Sequence, residues 1–190
     1  MRIEMIRPSP LRWHKERGQT IPLAVIMIPF LVAFMLLVVE VSERWLEVSM
    51  VEDALQQATR SAVQQLDYAA FARNEALLRG GEGDCGPLTL AKARERQVSC
   101  LPVIEEADRY LRINLRNVRG LTEPLETVAA RVHWTARPAG GSCRYSNGQA
   151  VPNQPEPLLC AEVRPTMRGI VGWGQFTPLI IAADRLDPVR

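Results

Sequence analysis

The chain has 190 residues, 47 % of them apolar, enough for one domain or a domain with an attachment. Its net charge is +2, but the leader 1–17 holds Arg2, Arg7, Arg12, Lys15 and Arg17 against Glu4 and Glu16, which is +3 and leaves −1 for residues 18–190. The body of the chain therefore lacks the basic excess of a nucleic-acid-binding domain. A charge-free stretch over residues 18–39 rules out a plain soluble protein.

That stretch, 22 residues long, spans about 33 Å as a helix at roughly 1.5 Å per residue. It matches a hydrocarbon core of roughly 30 Å. Pro22 falls in the first turn, where a missing N–H costs little. Pro29 is mid-span and is expected to bend the helix, which membranes tolerate when neighbours satisfy the freed backbone. A cleaved secretory signal would be followed by a small-residue cleavage site. Here Val39 is followed by Glu40-Val41-Ser42-Glu43-Arg44-Trp45, so residues 18–40 are expected to stay as a transmembrane helix. The basic leader 1–17 places the N-terminus in the cytoplasm by the positive-inside rule. The rest of the chain is then extracytoplasmic.

Past the membrane run, Val41, Trp45, Val48, Val51, Leu55, Ala58, Ala62, Leu66 and Ala69 recur at steps of three and four, the helical period. No glycine or proline intervenes until Gly80-Gly81. Residues 41–79 are accordingly expected to continue the membrane helix as an amphipathic stalk, halted at the glycine pair. Ala54, Ala58, Ala62 and Ala69 leave a stripe flat enough for close helix packing. It packs either on the protein's own distal domain or on other subunits.

Residues 80–190 form an expected extracytoplasmic α+β domain. Residues 90–97 suit a short helix. Leu111, Ile113 and Leu115 alternate with polar residues, as do Val128, Ala130, Val132, Trp134 and Ala136, and both runs read as strands. Leu159, Ala161 and Val163 give a third strand, and residues 179–183 a fourth. Turn-rich segments at 138–142 and 152–157 separate them. The fold class is thus α+β, a long N-terminal helix packed on a small antiparallel sheet. Cys85, Cys100, Cys143 and Cys160 all lie in this outer part. An even count there points to two disulfides. Of three pairings, the local one (Cys85 with Cys100, Cys143 with Cys160) is preferred. Zinc would want a closer ligand spacing, and no metal or other cofactor is expected.

No catalytic constellation is legible, and the chain reads as a non-enzyme with no evident small-molecule substrate. His133 is the only histidine beyond the membrane run, and it alternates with inward-facing residues, which suits an exposed or interface position. There is no G-x-S-x-G turn. Glu105, Glu106 and Asp108 read as solvated surface, and Gly172-Trp173-Gly174 lacks the lysine and following helix of a phosphate cradle.

The junction Lys15-Glu16-Arg17-Gly18-Gln19-Thr20, the proline at Pro29, the acidic Glu40 and the run Leu55-Gln56-Gln57-Ala58-Thr59-Arg60-Ser61-Ala62 together resemble the TadE/TadG-like family. Its members are minor pseudopilins or assembly proteins of Flp (tight adherence) pili and related bacterial secretion systems. The resemblance covers residues 16–66, and more loosely 163–184. It implies a single-pass protein of the bacterial cell membrane with pilus or secretion-system subunits as partners. It further implies prepilin-peptidase cleavage between Gly18 and Gln19, and helix packing through Pro29, Ala54, Ala58 and Ala62. Leu23 stands where processed members carry a glutamate, which favours an anchored assembly component over a filament subunit. A membrane-anchored binding module unrelated to pili, using Trp134 and Trp173 as an aromatic patch, is the alternative.

Overall fold

Helix α1 runs from Thr20 to Val63 with Pro29 inside it. The computed structural model describes residues 20–73, 78–81, 83–169 and 174–186, and the chain divides into two compact units, Met1–Val39 and Glu40–Arg190. In the first unit, the large apolar side chains from Leu23 to Val39 are exposed. Among the described residues α1 is the one helix long and apolar enough to cross a membrane.

In the second unit the same helix turns amphipathic. Val51, Ala54, Leu55, Ala58, Ala62 and Val63 are buried at helical spacing, while Glu52, Asp53, Gln56, Gln57 and Arg60 are exposed. The stalk expected to reach residue 79 ends sixteen residues earlier, at Val63. Neither glycine nor proline stops it. Leu66 leaves the helix to bridge Leu78, and the Arg79 N–H donates to the Gln65 carbonyl. Asp67 then caps the short helix α2 (Tyr68–Phe71), accepting from the Ala69 and Ala70 N–H groups. Tertiary pairing thus overrides a continuous helical pattern.

The rest of the unit follows in chain order as β1 (Cys85–Leu88), α3 (Leu90–Arg96), α4 (Leu101–Leu115), α5 (Leu125–Ala130), β2 (His133–Arg137), β3 (Gly141–Arg144), β4 (Ala150–Gln154), β5 (Leu158–Val163), β6 (Met167–Arg168), β7 (Gln175–Phe176) and β8 (Ile180–Arg185). The main sheet is antiparallel with order β1-β2-β5-β8, and β3-β4 and β6-β7 form two small ribbons. Helix α3 and strands β5 and β8 lie where the sequence pattern puts them.

One expected strand is helical instead, and another is helical in its first part. Residues 111–115 close α4, because Val103, Ile104, Ala107, Asp108, Leu111 and Leu115 bury one helical face, leaving Ile113 47 % exposed. Pro102 in the first turn of α4 fits the helix start. Residues 125–130 form α5, so the expected second strand begins only at His133.

Strand alternation sorts the core in two. Trp134 and Ala136 of β2, Leu159, Ala161 and Val163 of β5, and Ile180 and Ala182 of β8 share one cluster with α1, α3, α4 and α5. Leu158 and Cys160 point the other way, into a small cluster with Cys143 and Tyr145 of the β3–β4 hairpin. That hairpin turns at Asn147-Gly148, where Gly148 adopts φ +86°, a left-handed value that suits glycine.

Both local disulfides are present. Cys85 pairs with Cys100 and Cys143 with Cys160, at Cα separations of 6.3 and 6.5 Å. The first ties β1 to the start of α4, and the second ties the hairpin to β5. Each closes a short loop, 15 and 17 residues, worth about 3 kcal/mol in the chain-entropy account. Replacing Cys143 and Cys160 together by alanine is expected to lower unfolding free energy by about that much, measured by urea denaturation under oxidising conditions.

Candidate functional site

The sequence places an acid, Glu40, directly after the apolar run, and the fold buries it. Glu40 is only 2 % exposed. Its Oε1 accepts from Arg44 Nε at 2.7 Å one helical turn on, which offsets the cost of desolvating the carboxylate. The Arg44 guanidinium lies 5.1 Å from the Phe176 ring centroid, a cation–π distance that joins α1 to β7. Gly169, just after β6, leaves room for this pair, because a Cβ there would fall inside the Glu40 carboxylate.

One turn further along α1, Glu47 Oε2 accepts from the Gly120 N–H at 2.8 Å. Glu43, Glu47, Arg119, Arg168 and Gln175 line a cleft of about 650 Å³, and one buried oxygen of Glu43 has no hydrogen-bond partner. The cleft is mixed in charge and about equally polar and apolar in its lining.

A second groove, about 340 Å³, is lined by His133, Ser146, Glu162, Arg164 and Leu179. His133 and Glu162 are register partners on β2 and β5. The Ser146 N–H, not its hydroxyl, donates to Glu162 Oε2 at 2.8 Å, while Arg164 reaches the Ser146 hydroxyl at 3.5 Å. His133 is exposed, as its place in the alternation implies. The chemistry a nucleophile and base need, a hydrogen bond between them, is not made by these groups in this arrangement.

Beside this groove, Tyr145 donates to the Ala182 carbonyl at 2.9 Å. Burial, aided by the Glu162 charge, raises its phenol from 10.0 to about 12. Because the folded value lies above the unfolded one, this group favours the fold fully below pH about 10, and that contribution is lost as pH rises toward 12. The domain is therefore expected to weaken steeply between those limits. Tyr145→Phe should lower neutral-pH stability by about 1 kcal/mol and flatten that alkaline fall, as read from urea midpoints at neutral and alkaline pH.

The other residues singled out in the sequence are scattered. Ala54, Ala58 and Ala62 are 3 %, 0 % and 0 % exposed and pack in the protein's own core, the internal one of the two placements expected for them. Ala69 is exposed on α2. Pro29 lies in the apolar part of α1. Gly18, Gln19 and Trp173 lie outside the described residues.

Trp134 is 0 % exposed, which removes it from any surface aromatic patch. Asp108 corrects another expectation. It is 4 % exposed and bound to Arg112, whose guanidinium is raised above its ordinary value chiefly by that hydrogen bond. Arg112 also reaches Glu126 and so links α4 to α5. Glu105 and Glu106 are the surface carboxylates of that group, paired with Arg94 and Arg109. Among the described residues no group of three or more His, Cys, Asp or Glu side chains is arranged to hold a metal ion.

The burial of Glu40 is the feature the sequence conceals. Its acid is visible, but nothing in the pattern announces Gly169 and Phe176 as its surroundings. Set against known proteins, the chain matches no family model, no curated protein and no solved structure.

Proposed function

We propose that the chain is a non-enzymatic, single-pass membrane protein of a TadE/TadG-like pilus or secretion apparatus. In this reading the basic leader lies in the cytoplasm and the disulfide-tied domain outside. The observation that carries it is α1 itself, apolar and exposed from Leu23 to Val39 and then a contributor to the domain core from Val51 to Val63. The sequence at Lys15–Gln19, the proline at Pro29 and the Gln/Ala-rich run 55–62 supply the pilin-system component of the proposal. Leu23 in place of a glutamate favours an anchored assembly component. With its alanines internal, the protein meets partners through other surfaces of α1, not through Ala58 and Ala62.

Two measurements test this. The intact mass of the protein from its own membranes, with the prepilin peptidase present, is expected to start at Met1. A chain starting at Gln19 would replace the anchor with a processed, filament-type subunit. Cross-linking in the same membranes, read by mass spectrometry, is expected to recover pilus or secretion subunits. Their absence sinks the pilus reading and leaves the anchored binding module.

A further inference from the structure

The first turns of α1 in the domain carry two unlike faces. Every charged side chain among residues 40–50 engages the domain. Glu40 is paired with Arg44, Arg44 lies against Phe176, Glu47 holds the Gly120 N–H, and Glu43 lines the cleft beside Gly169. The outward face is apolar, with Val41, Trp45, Leu46 and Met50 exposed by 59, 73, 55 and 40 % and only Ser42 and Ser49 between them. Outward polarity resumes at Glu52 and Asp53 and continues through Gln56, Gln57 and Arg60.

From Leu23 to Met50 the exposed side of α1 is thus free of charge. Those 28 residues cover about 42 Å at 1.5 Å each. That exceeds a hydrocarbon core of roughly 30 Å and equals a whole bilayer with its headgroups, about 40–45 Å. Trp45 lies six residues beyond Val39, about 9 Å of helix, at the depth where tryptophan is enriched. On a helical wheel at about 100° per residue, the four side chains span roughly half the circumference. A seam with one partner helix is narrower, whereas lipid surrounds a helix on all its free sides.

We infer that Val41, Trp45, Leu46 and Met50 face lipid and hold this side of the domain in the headgroup layer of the outer leaflet. The inference rests on α1 being a membrane span. The occupant of the face is the bilayer surface itself, and the burial of Glu40, with Arg44 half-buried and turned against Phe176, is what keeps these charges off the outward face as the helix enters the layer.

The test uses the full chain, disulfides intact, in phosphatidylcholine–phosphatidylglycerol vesicles. The difference in emission between the native protein and Trp45→Phe isolates the Trp45 signal, and a nitroxide on Leu31→Cys reports the span independently. The Trp45 signal is expected to be blue-shifted. It should lose most of its intensity to lipids brominated near the top of the acyl chain, and little to aqueous acrylamide. Strong acrylamide quenching without bromolipid quenching, while the Leu31 label is in lipid, overturns the seating and leaves the span standing. Protection from both quenchers shows a protein covering the face and overturns it as well. A water-exposed Leu31 label removes the span, and this inference with it.

Discussion

Replacing Trp134 by alanine is expected to cost the unit Glu40–Arg190 about 3–5 kcal/mol, more than any other single truncation. Trp134 is the largest fully buried side chain among the described residues and packs in the cluster shared by the helices and the main sheet. For a unit of this size that loss lowers the melting temperature by roughly 6–20 °C. Trp134→Phe provides the contrast. The indole Nε1 is buried with no hydrogen-bond partner, and an orphaned donor costs about 1–3 kcal/mol. Phenylalanine loses volume but removes that donor, so the net change is expected at about 1 kcal/mol or less. Thermal melting of both variants in detergent decides it. Equal, small effects would mean the side chain is not central to the core.

The second large effect is expected from Ala58→Leu together with Ala62→Leu. Both alanines are fully buried where α1 meets the core, and added methylenes in a packed interior cost about 1–3 kcal/mol per site. The pair should therefore remove several kcal/mol and compromise the fold, not merely weaken association. Gln57→Leu, on the exposed face of the same helix, is the control and should change stability by about 0.5 kcal/mol or less. A double leucine variant that melts like the native protein would return the stripe to the surface.

Much of the architecture is legible because burial obeys a simple period. Strands β5 and β8 send alternate residues to opposite sides, Leu159, Ala161, Val163, Ile180 and Ala182 to the main core and Leu158, Cys160 and Ile181 to the smaller cluster. Cysteine spacing also suffices for the disulfides, since two short loops are easier to close than interleaved long ones.

The failures have equally local causes. Leu111, Ile113 and Leu115 alternate over too few residues to outweigh the helical face begun at Val103. The early end of α1 depends on the Leu66–Leu78 bridge, a pairing across twelve residues that no window of helical periodicity contains.

At the candidate site the deficit is of another kind. Glu40, Arg44 and Glu47 are plain in the sequence at steps of four and three, yet their orientation is set by Gly169, Gly120 and Phe176, more than seventy residues away. A helix pattern tells which residues share a side. It does not tell whether that side faces lipid, water or the protein. The exposed Trp45 shows the same gap, since the spacing that groups it with Val41 and Val48 also groups it with the buried Val51 and Leu55.

The order of the four cysteines along the chain has a consequence for biogenesis. Each bond joins neighbours in sequence, Cys85 to Cys100 and Cys143 to Cys160, and neither loop encloses a cysteine of the other. In the orientation proposed above, a chain threaded outward with its N-terminus held inside would deliver these thiols to an oxidase in that sequence. Joining each newcomer to the last free thiol then yields the native pairs at once. Such a protein matures with an oxidase alone, and a strain lacking disulfide isomerase should assemble it at an undiminished rate.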